Sequence, residues 1–268
     1  MPDLLTRHHV QLSGSGSDLL LFAHGFGCDQ RLWRRLLAAL DPAPTERVAL
    51  FDYVGSGRSD AAAYDPARHA TLSGYADDLI ELVDHLAASR VTVIAHSVSA
   101  NIAILAALRR PELFHRFVFV CPSPCYLNHL PDYRGGFEPA DIEGLLTLME
   151  KNPLGWAGFL APLVTPDPEA QGELHASFCA LDPTIAHQFA RATFQADNRA
   201  DLPAVHQPCL LIECTDDALV PVAVGRFLEA RLPRARLHLL EARGHCPHLT
   251  HPRETAAAIR EFLAATPA

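Results

Sequence analysis

Short apolar runs rich in β-branched and aromatic residues recur along the chain. Those at 19–23, 48–53, 91–95, 117–121, 210–214 and 237–240 each predict a strand. Stretches with helical spacing separate most of them. The segment 31–40 carries Leu32, Trp33, Leu36, Leu37 and Leu40, and 72–86 carries Leu79, Ile80, Leu82, Val83 and Leu86. Segments 101–108, 222–232 and 255–263 repeat the habit. Strands alternating with helices predict an α/β fold, a mostly parallel central sheet flanked by helices on both faces. Residues 8–12 read as an earlier strand that turns through Gly14-Ser15-Gly16-Ser17 into 19–23. That hairpin would add antiparallel strands at one edge.

The rhythm breaks once. Between 126 and 198 no strand pattern occurs, and four helix candidates are punctuated by Pro139, Pro153, Pro168 and Pro183. Proline is favoured in the first turn of a helix, so these residues read as starts. The stretch 138–151 is amphipathic, and 154–164 is apolar nearly all round. A helical insertion that leaves after the strand at 117–121 and returns before the next lies over the carboxyl edge of a parallel sheet, where ligands bind. The expected organisation is therefore a core domain of residues 1–125 and 199–268, with a four-helix lid at 126–198.

Composition narrows the class. The chain has 268 residues, 49% of them hydrophobic, enough for a large core. A formal net charge of -9 argues against nucleic acid as a partner. No apolar run approaches the ~20 residues of a membrane span. The first residues lack the basic-then-apolar order of a signal peptide. Seven cysteines, odd in number and scattered, read as reduced core thiols of a cytoplasmic protein.

The candidate chemistry centres on Ala95-His96-Ser97-Val98-Ser99, where a strand runs directly into a helix. A strand–Ser–helix turn with small residues two before and two after the serine pushes its hydroxyl out at the sheet edge. It also places the N–H of Val98 at a helix N-terminus, aimed at a developing oxyanion. A serine needs a base, and the base needs an orienting acid. After the strand at 210–214, Asp216 and Asp217 offer an acid. Asp216 reads as a turn residue. After the strand at 237–240, Gly244 permits a turn that presents His245. The loop after 19–23, His24-Gly25-Phe26-Gly27, offers the N–H of Phe26 as a second oxyanion donor, with the Phe26 ring on the pocket floor. His24 and His96 flank the site as packing and hydrogen-bonding residues. His245, Cys246, His248 and His251 lack the partners of a zinc site, so no metal and no cofactor are expected. Asp52 and Asp60 read as structural turn residues.

Several long blocks carry a resemblance. They are 23–30, from Ala23 to Gln30; Leu50-Phe51-Asp52-Tyr53-Val54-Gly55-Ser56-Gly57; His96-Ser97-Val98; Arg109-Arg110-Pro111-Glu112-Leu113-Phe114; Pro122-Ser123-Pro124-Cys125-Tyr126-Leu127-Asn128; and 241–248, from Glu241 to His248. On these the chain resembles an α/β-hydrolase of the RsbQ group, bacterial stress-response regulators whose wider family includes the plant strigolactone and karrikin receptors. The resemblance implies the α/β-hydrolase fold and a Ser97–Asp217–His245 triad, with oxyanion donors at Phe26 and Val98. It also implies an apolar pocket beneath the lid. Phe26, His96, Trp156, Leu160 and Val164 are the candidate substrate-binding residues. Two departures stand out: family members carry glycine where this chain has Ala95, and the plant receptors carry phenylalanine where Leu160 aligns. The activity implied is hydrolysis of a small hydrophobic ester or lactone, in a protein that reports to a partner such as a PAS-domain phosphatase. The alternative is a metabolic esterase or C–C bond hydrolase with no signalling partner.

Overall fold

The strands form where the apolar runs lie, and the helices fill the spaces between. The computed structural model describes residues 3–266. In chain order the elements are α1 (Leu4–Arg7), β1 (Gln11–Ser13), β2 (Asp18–Ala23), α2 (Arg34–Leu40), β3 (Arg47–Leu50), α3 (Leu72–Leu86), β4 (Arg90–His96), α4 (Val98–Arg109) and β5 (Arg116–Val120). Four helices follow, α5 (Pro139–Lys151), α6 (Pro153–Val164), α7 (Pro168–Cys179) and α8 (Pro183–Phe194). The chain then closes with β6 (Cys209–Asp216), α9 (Val222–Arg231), β7 (Ala235–Arg243), α10 (Pro247–Thr250) and α11 (Pro252–Ala265).

One sheet of order β1-β3-β2-β4-β5-β6-β7 runs through the molecule, parallel except for β1. Strands covered on both faces read as continuous apolar runs, and β5 is buried at every position. Alternation still sorts the side chains. Leu19, Leu21 and Ala23 of β2 join the core that holds α3 and α4, while Leu20 and Phe22 join the one that holds α2 and α11.

The expected hairpin is corrected. β1 pairs with β3, Gln11 opposite Leu50 and Ser13 opposite Val48, and β3 lies between β1 and β2. The reason is the turn after Ser13. Gly14 has φ +71, where a Cβ would meet Glu46 O at 2.0 Å, and Ser15 N–H donates to Pro44 O. The glycine loop thus folds onto the approach to β3 instead of returning along β2. Nor does the strand begin near residue 8. α1 ends at Arg7, and the His8 ring is buried with Nδ1 at 3.2 Å from Asp52 O.

The four inserted helices each begin on proline, at Pro139, Pro153, Pro168 and Pro183. The residue before each proline completes the start. Asn152, Asp167 and Asp182 accept from N–H groups of the first turn, and Glu138 forms a reciprocal capping box with Asp141. α6 packs between α5 and α7. It buries Trp156, Leu160 and Val164 and leaves Leu154, Phe159 and Leu163 on its outer face. Among the described residues, no helix is long and apolar enough to cross a membrane.

Candidate active site

Parallel strands deliver their following loops to one edge of the sheet, and the candidate residues gather there. Ser97 sits between β4 and α4 with φ 55 and ψ -121, an unusual conformation for a residue with a side chain. Such a backbone costs about 1–3 kcal/mol, so its surroundings must hold it. Ser97 N–H donates to Val120 O at 2.9 Å. Ala95 is fully buried in the sheet, opposite Ala23 and Phe119, so its methyl group is packed there. Ser99 Oγ donates to His24 O and lies 2.9 Å from the Tyr53 hydroxyl. The small residues around the turn are packed on every side.

His245 Nε2 lies 2.9 Å from Ser97 Oγ, and His245 Nδ1 lies 2.6 Å from Asp217 Oδ2. The other carboxylate oxygen, Asp217 Oδ1, accepts from the N–H groups of Leu219 at 2.8 Å and Val220 at 3.3 Å. Three acceptor contacts leave the Asp217 side chain fully buried and aimed at the imidazole. Asp216 plays no such part. Its carboxylate is on the surface, 3.3 Å from Arg243. It closes β6, and Asp217 makes the turn bonds instead. Gly244 is required as glycine. Its φ is +102, and a Cβ would lie 2.8 Å from Val164 O, the acceptor of His245 N–H.

The oxyanion-donor candidates lie at a helix start and in a glycine-flanked loop. Val98 opens α4, so its N–H has no intrahelical acceptor. Phe26 lies between Gly25 and Gly27. A Cβ on Gly25 would sit 2.3 Å from His96 Nδ1, and one on Gly27 would strike the Phe178 ring at 2.5 Å.

His96 is buried against the loop that carries His245. Its Nε2–H donates to His245 O at 3.0 Å, and its ring packs against Trp33, His245 and His248. Burial, helped by the neighbouring histidines, holds its pKa well below the ordinary value. The same burial lowers His248 to about 3. Both rings are therefore neutral at pH 7 and buttress the loop from behind. His24 is neutral for the same reason, with Nδ1 at 2.9 Å from Gly25 O and Nε2 accepting from Tyr53 N–H. Asp52 and Asp60 are turn residues as expected. Asp52 accepts from the N–H groups of Gln30 and Arg58, and Asp60 from that of Ala62.

Sequence reasoning missed Tyr126. Its hydroxyl lies 3.0 Å from Ser97 Oγ. With Nδ1–H of a neutral His245 given to Asp217, Nε2 is an acceptor and Ser97 O–H is its donor. Tyr126 must then donate to Ser97 Oγ. Burial raises the phenol pKa, so this donor persists at neutral and alkaline pH. Its place just after β5, at the carboxyl edge, is the signal that could have found it. Three further aromatics went unread. The Phe26 ring stands edge-to-face with Trp156, Phe189 and Phe194 at 5.5–5.9 Å, and Phe178 leans on Trp156. Leu160 and Val164 are buried in the same apolar cluster. Ser97 is only 6% exposed and His245 3%, so the insertion covers the site. Such an arrangement, a buried hydroxyl bonded to an oriented imidazole beside free N–H donors, is competent for acyl transfer.

The α/β-hydrolase family model matches residues 20–258. The chain belongs to the α/β-hydrolase family. Within it, this α/β-hydrolase is 35% identical over 252 residues to the strigolactone esterase RMS3 of Pisum sativum, covering 93% of this chain and 94% of that protein. It is 36% identical over 249 residues to the karrikin insensitive 2 receptor CA of Petunia hybrida, covering 91% of each. Among solved structures, a hydrolase from Oleispira antarctica superposes with a TM-score of 0.93 at 40% identity, over 97% of this chain and 96% of that one.

Proposed function

We propose that this α/β-hydrolase is a serine hydrolase for a small hydrophobic ester or lactone, serving as a ligand-processing sensor in the manner of the RsbQ group. The observation that carries the reading is the continuous hydrogen-bonded series Ser97–His245–Asp217, closed by contacts of 2.9 and 2.6 Å. Ser97 Oγ attacks the carbonyl carbon while His245 Nε2 takes its proton, and Asp217 holds the imidazolium in place. The N–H groups of Phe26 and Val98 receive the oxyanion. His245 returns the proton to the departing alcohol. Water then attacks the acyl-serine with His245 again as base, and the acid leaves.

The pocket lining supports an apolar substrate. Phe26, Trp156, Leu160 and Val164 belong to one buried cluster, now joined by Tyr126, Phe178, Phe189 and Phe194. Trp156 Nε1 is buried in it with no partner, a donor that a substrate oxygen would satisfy. Residues 126–198 act as a lid, and its opening sets the turnover. The sensor reading takes support from the relatives named as receptors, and the partner from the RsbQ resemblance: a PAS-domain phosphatase or similar sensor in the cytoplasm.

The test is intact-mass spectrometry with burst kinetics on a short p-nitrophenyl ester, wild type against Ser97→Ala. The expected result is an acyl adduct and burst that depend on Ser97, followed by slow turnover. Loss of the nucleophile lowers the rate by about 10⁴-fold or more. An equal rate in Ser97→Ala overturns the mechanism. Fast multiple turnover without a burst removes the sensor reading and leaves a metabolic esterase.

A further inference from the structure

The two ends of the inserted segment meet. The chain leaves β5 through Pro124 and Cys125 and returns through Asp197 and Asn198. Cys125 and Asp197 form an antiparallel backbone bridge, and Asn198 N–H donates to Pro124 O at 2.8 Å. Three side chains converge where the ends cross. Cys125 Sγ lies 3.7 Å from His129 Nε2, which lies 4.0 Å from Asp197 Oδ2. All three ligand atoms fall within 4.8 Å of one another. Cys125 is buried, while the His129 and Asp197 side chains are 44% and 41% exposed, so a solute can reach the thiol between them.

We propose that Cys125, His129 and Asp197 bind a zinc-class divalent cation that staples the two ends of the insertion. A tetrahedral zinc with bonds of about 2.3 Å to sulfur and 2.0 Å to nitrogen separates those atoms by about 3.5 Å. The observed 3.7 Å needs almost no movement, and the carboxylate, 4.0 Å from His129 Nε2 and within 4.8 Å of the sulfur, must close by about an ångström. Mixed sulfur, nitrogen and oxygen donors suit a borderline-soft ion and disfavour magnesium or calcium, which take oxygen alone. The fourth position is left to water.

The backbone around the site is already fixed. Cys125 O accepts from the hydroxyls of Tyr133 at 2.6 Å and Ser123 at 2.9 Å. His129 and Tyr133 exchange backbone hydrogen bonds of 2.8 and 3.0 Å. Binding replaces the S–H bond by a sulfur–metal bond and releases the proton to solvent, so affinity rises with pH. One group opposes the ion. Arg199 donates to both Asp197 oxygens, at 2.8 and 2.6 Å, and lies over the Tyr133 ring. It must swing aside for the carboxylate to ligate.

The experiment uses the full chain in a Cys179→Ser background, because exposed Cys179 lies 3.8 Å from His175 Nε2 and could hold metal by itself. After chelator treatment, Co²⁺ is titrated in while the near-ultraviolet thiolate-to-cobalt band and the visible bands are followed. One equivalent should bind and be displaced by Zn²⁺. Cys125→Ser should abolish the thiolate band, and His129→Ala or Asp197→Asn should weaken binding by about tenfold or more. Arg199→Gln keeps every ligand and should tighten binding several-fold, a gain that a misfolded variant cannot imitate. Absence of a thiolate band overturns the proposal. So does a band that survives in Cys125→Ser, which would move the metal to the buried His96, Cys246 and His248. The outcome is independent of ester turnover.

Discussion

The loops at the sheet edge and the helices above them are held by different kinds of bond. At the edge, backbone groups do the holding. Ser97 N–H is fixed on Val120 O, Gly244 N–H on Asp216 O, and Asp217 by two N–H groups of its own loop. The insertion rests on the core largely through side chains. Arg34 and Arg35 grip Glu173, Ser177 Oγ donates to Gly27 O, and Gln188 donates to Pro66 O. Pairs as exposed as Arg34–Glu173, with side chains 52% and 26% accessible, contribute under about 1 kcal/mol each. One chain thus builds a reaction edge held by backbone bonds and a cover held by side chains, surface ion pairs and buried aromatic rings together.

That contrast breaks most sharply at Gly25. Gly25→Ala drives a methyl group into the buried His96 ring, which has no free space to receive it. The expected loss is about 1–3 kcal/mol in urea unfolding. Ester turnover should fall with it, as His96 is pushed off His245 O. Unchanged stability would show the edge to be softer than its bonding implies.

Glu213 on β6 tests the same rigidity through pH. Its carboxyl is fully buried with both oxygens unpartnered, and burial raises its pKa well above 4.5. The folded state therefore keeps a proton that the unfolded chain releases above pH 4.5. Its contribution is fully present below that value and declines as pH rises toward the raised one, by up to about tenfold in the folding equilibrium per pH unit. Glu213→Gln should be the more stable protein at pH 8, and the advantage should vanish near pH 4.5. Parallel urea melts at the two pH values decide it.

The smallest effect belongs to the cover. Glu173→Gln should lower global stability by less than about 1 kcal/mol. It should nevertheless speed hydrogen exchange in α7 and change ester turnover a few-fold. A change confined to global stability would mean that the insertion and the core open together.

The sequence was most legible where local chemistry sets the outcome. Proline marked the starts of α5, α6, α7 and α8, and the order serine, acid, histidine along parallel strands, with the resemblance choosing Asp217, placed Ser97, Asp217 and His245 at one edge. Legibility failed where a side chain's direction depends on distant packing. His96 adjoins the serine, yet its ring packs against Trp33 and His248. β1 met β3 because a glycine loop docked on Glu46, a contact no periodicity encodes. Phe178, Phe189 and Phe194 carry no signal in the sequence that singles them out, and only the fold brings them around Phe26 and Trp156.

Away from the point where the two ends of the insertion cross, a backbone hydrogen bond joins edge and cover. His245 N–H donates to Val164 O, at the last residue of α6, over 2.6 Å. The imidazole and the helix are consequently linked thermodynamic variables. Any occupant that fixes the ring biases α6, and any body that seizes the outer face of α6 biases the ring by the same free energy. Leu154, Phe159 and Leu163, apolar and open to solvent, lie on the outer face of the same helix.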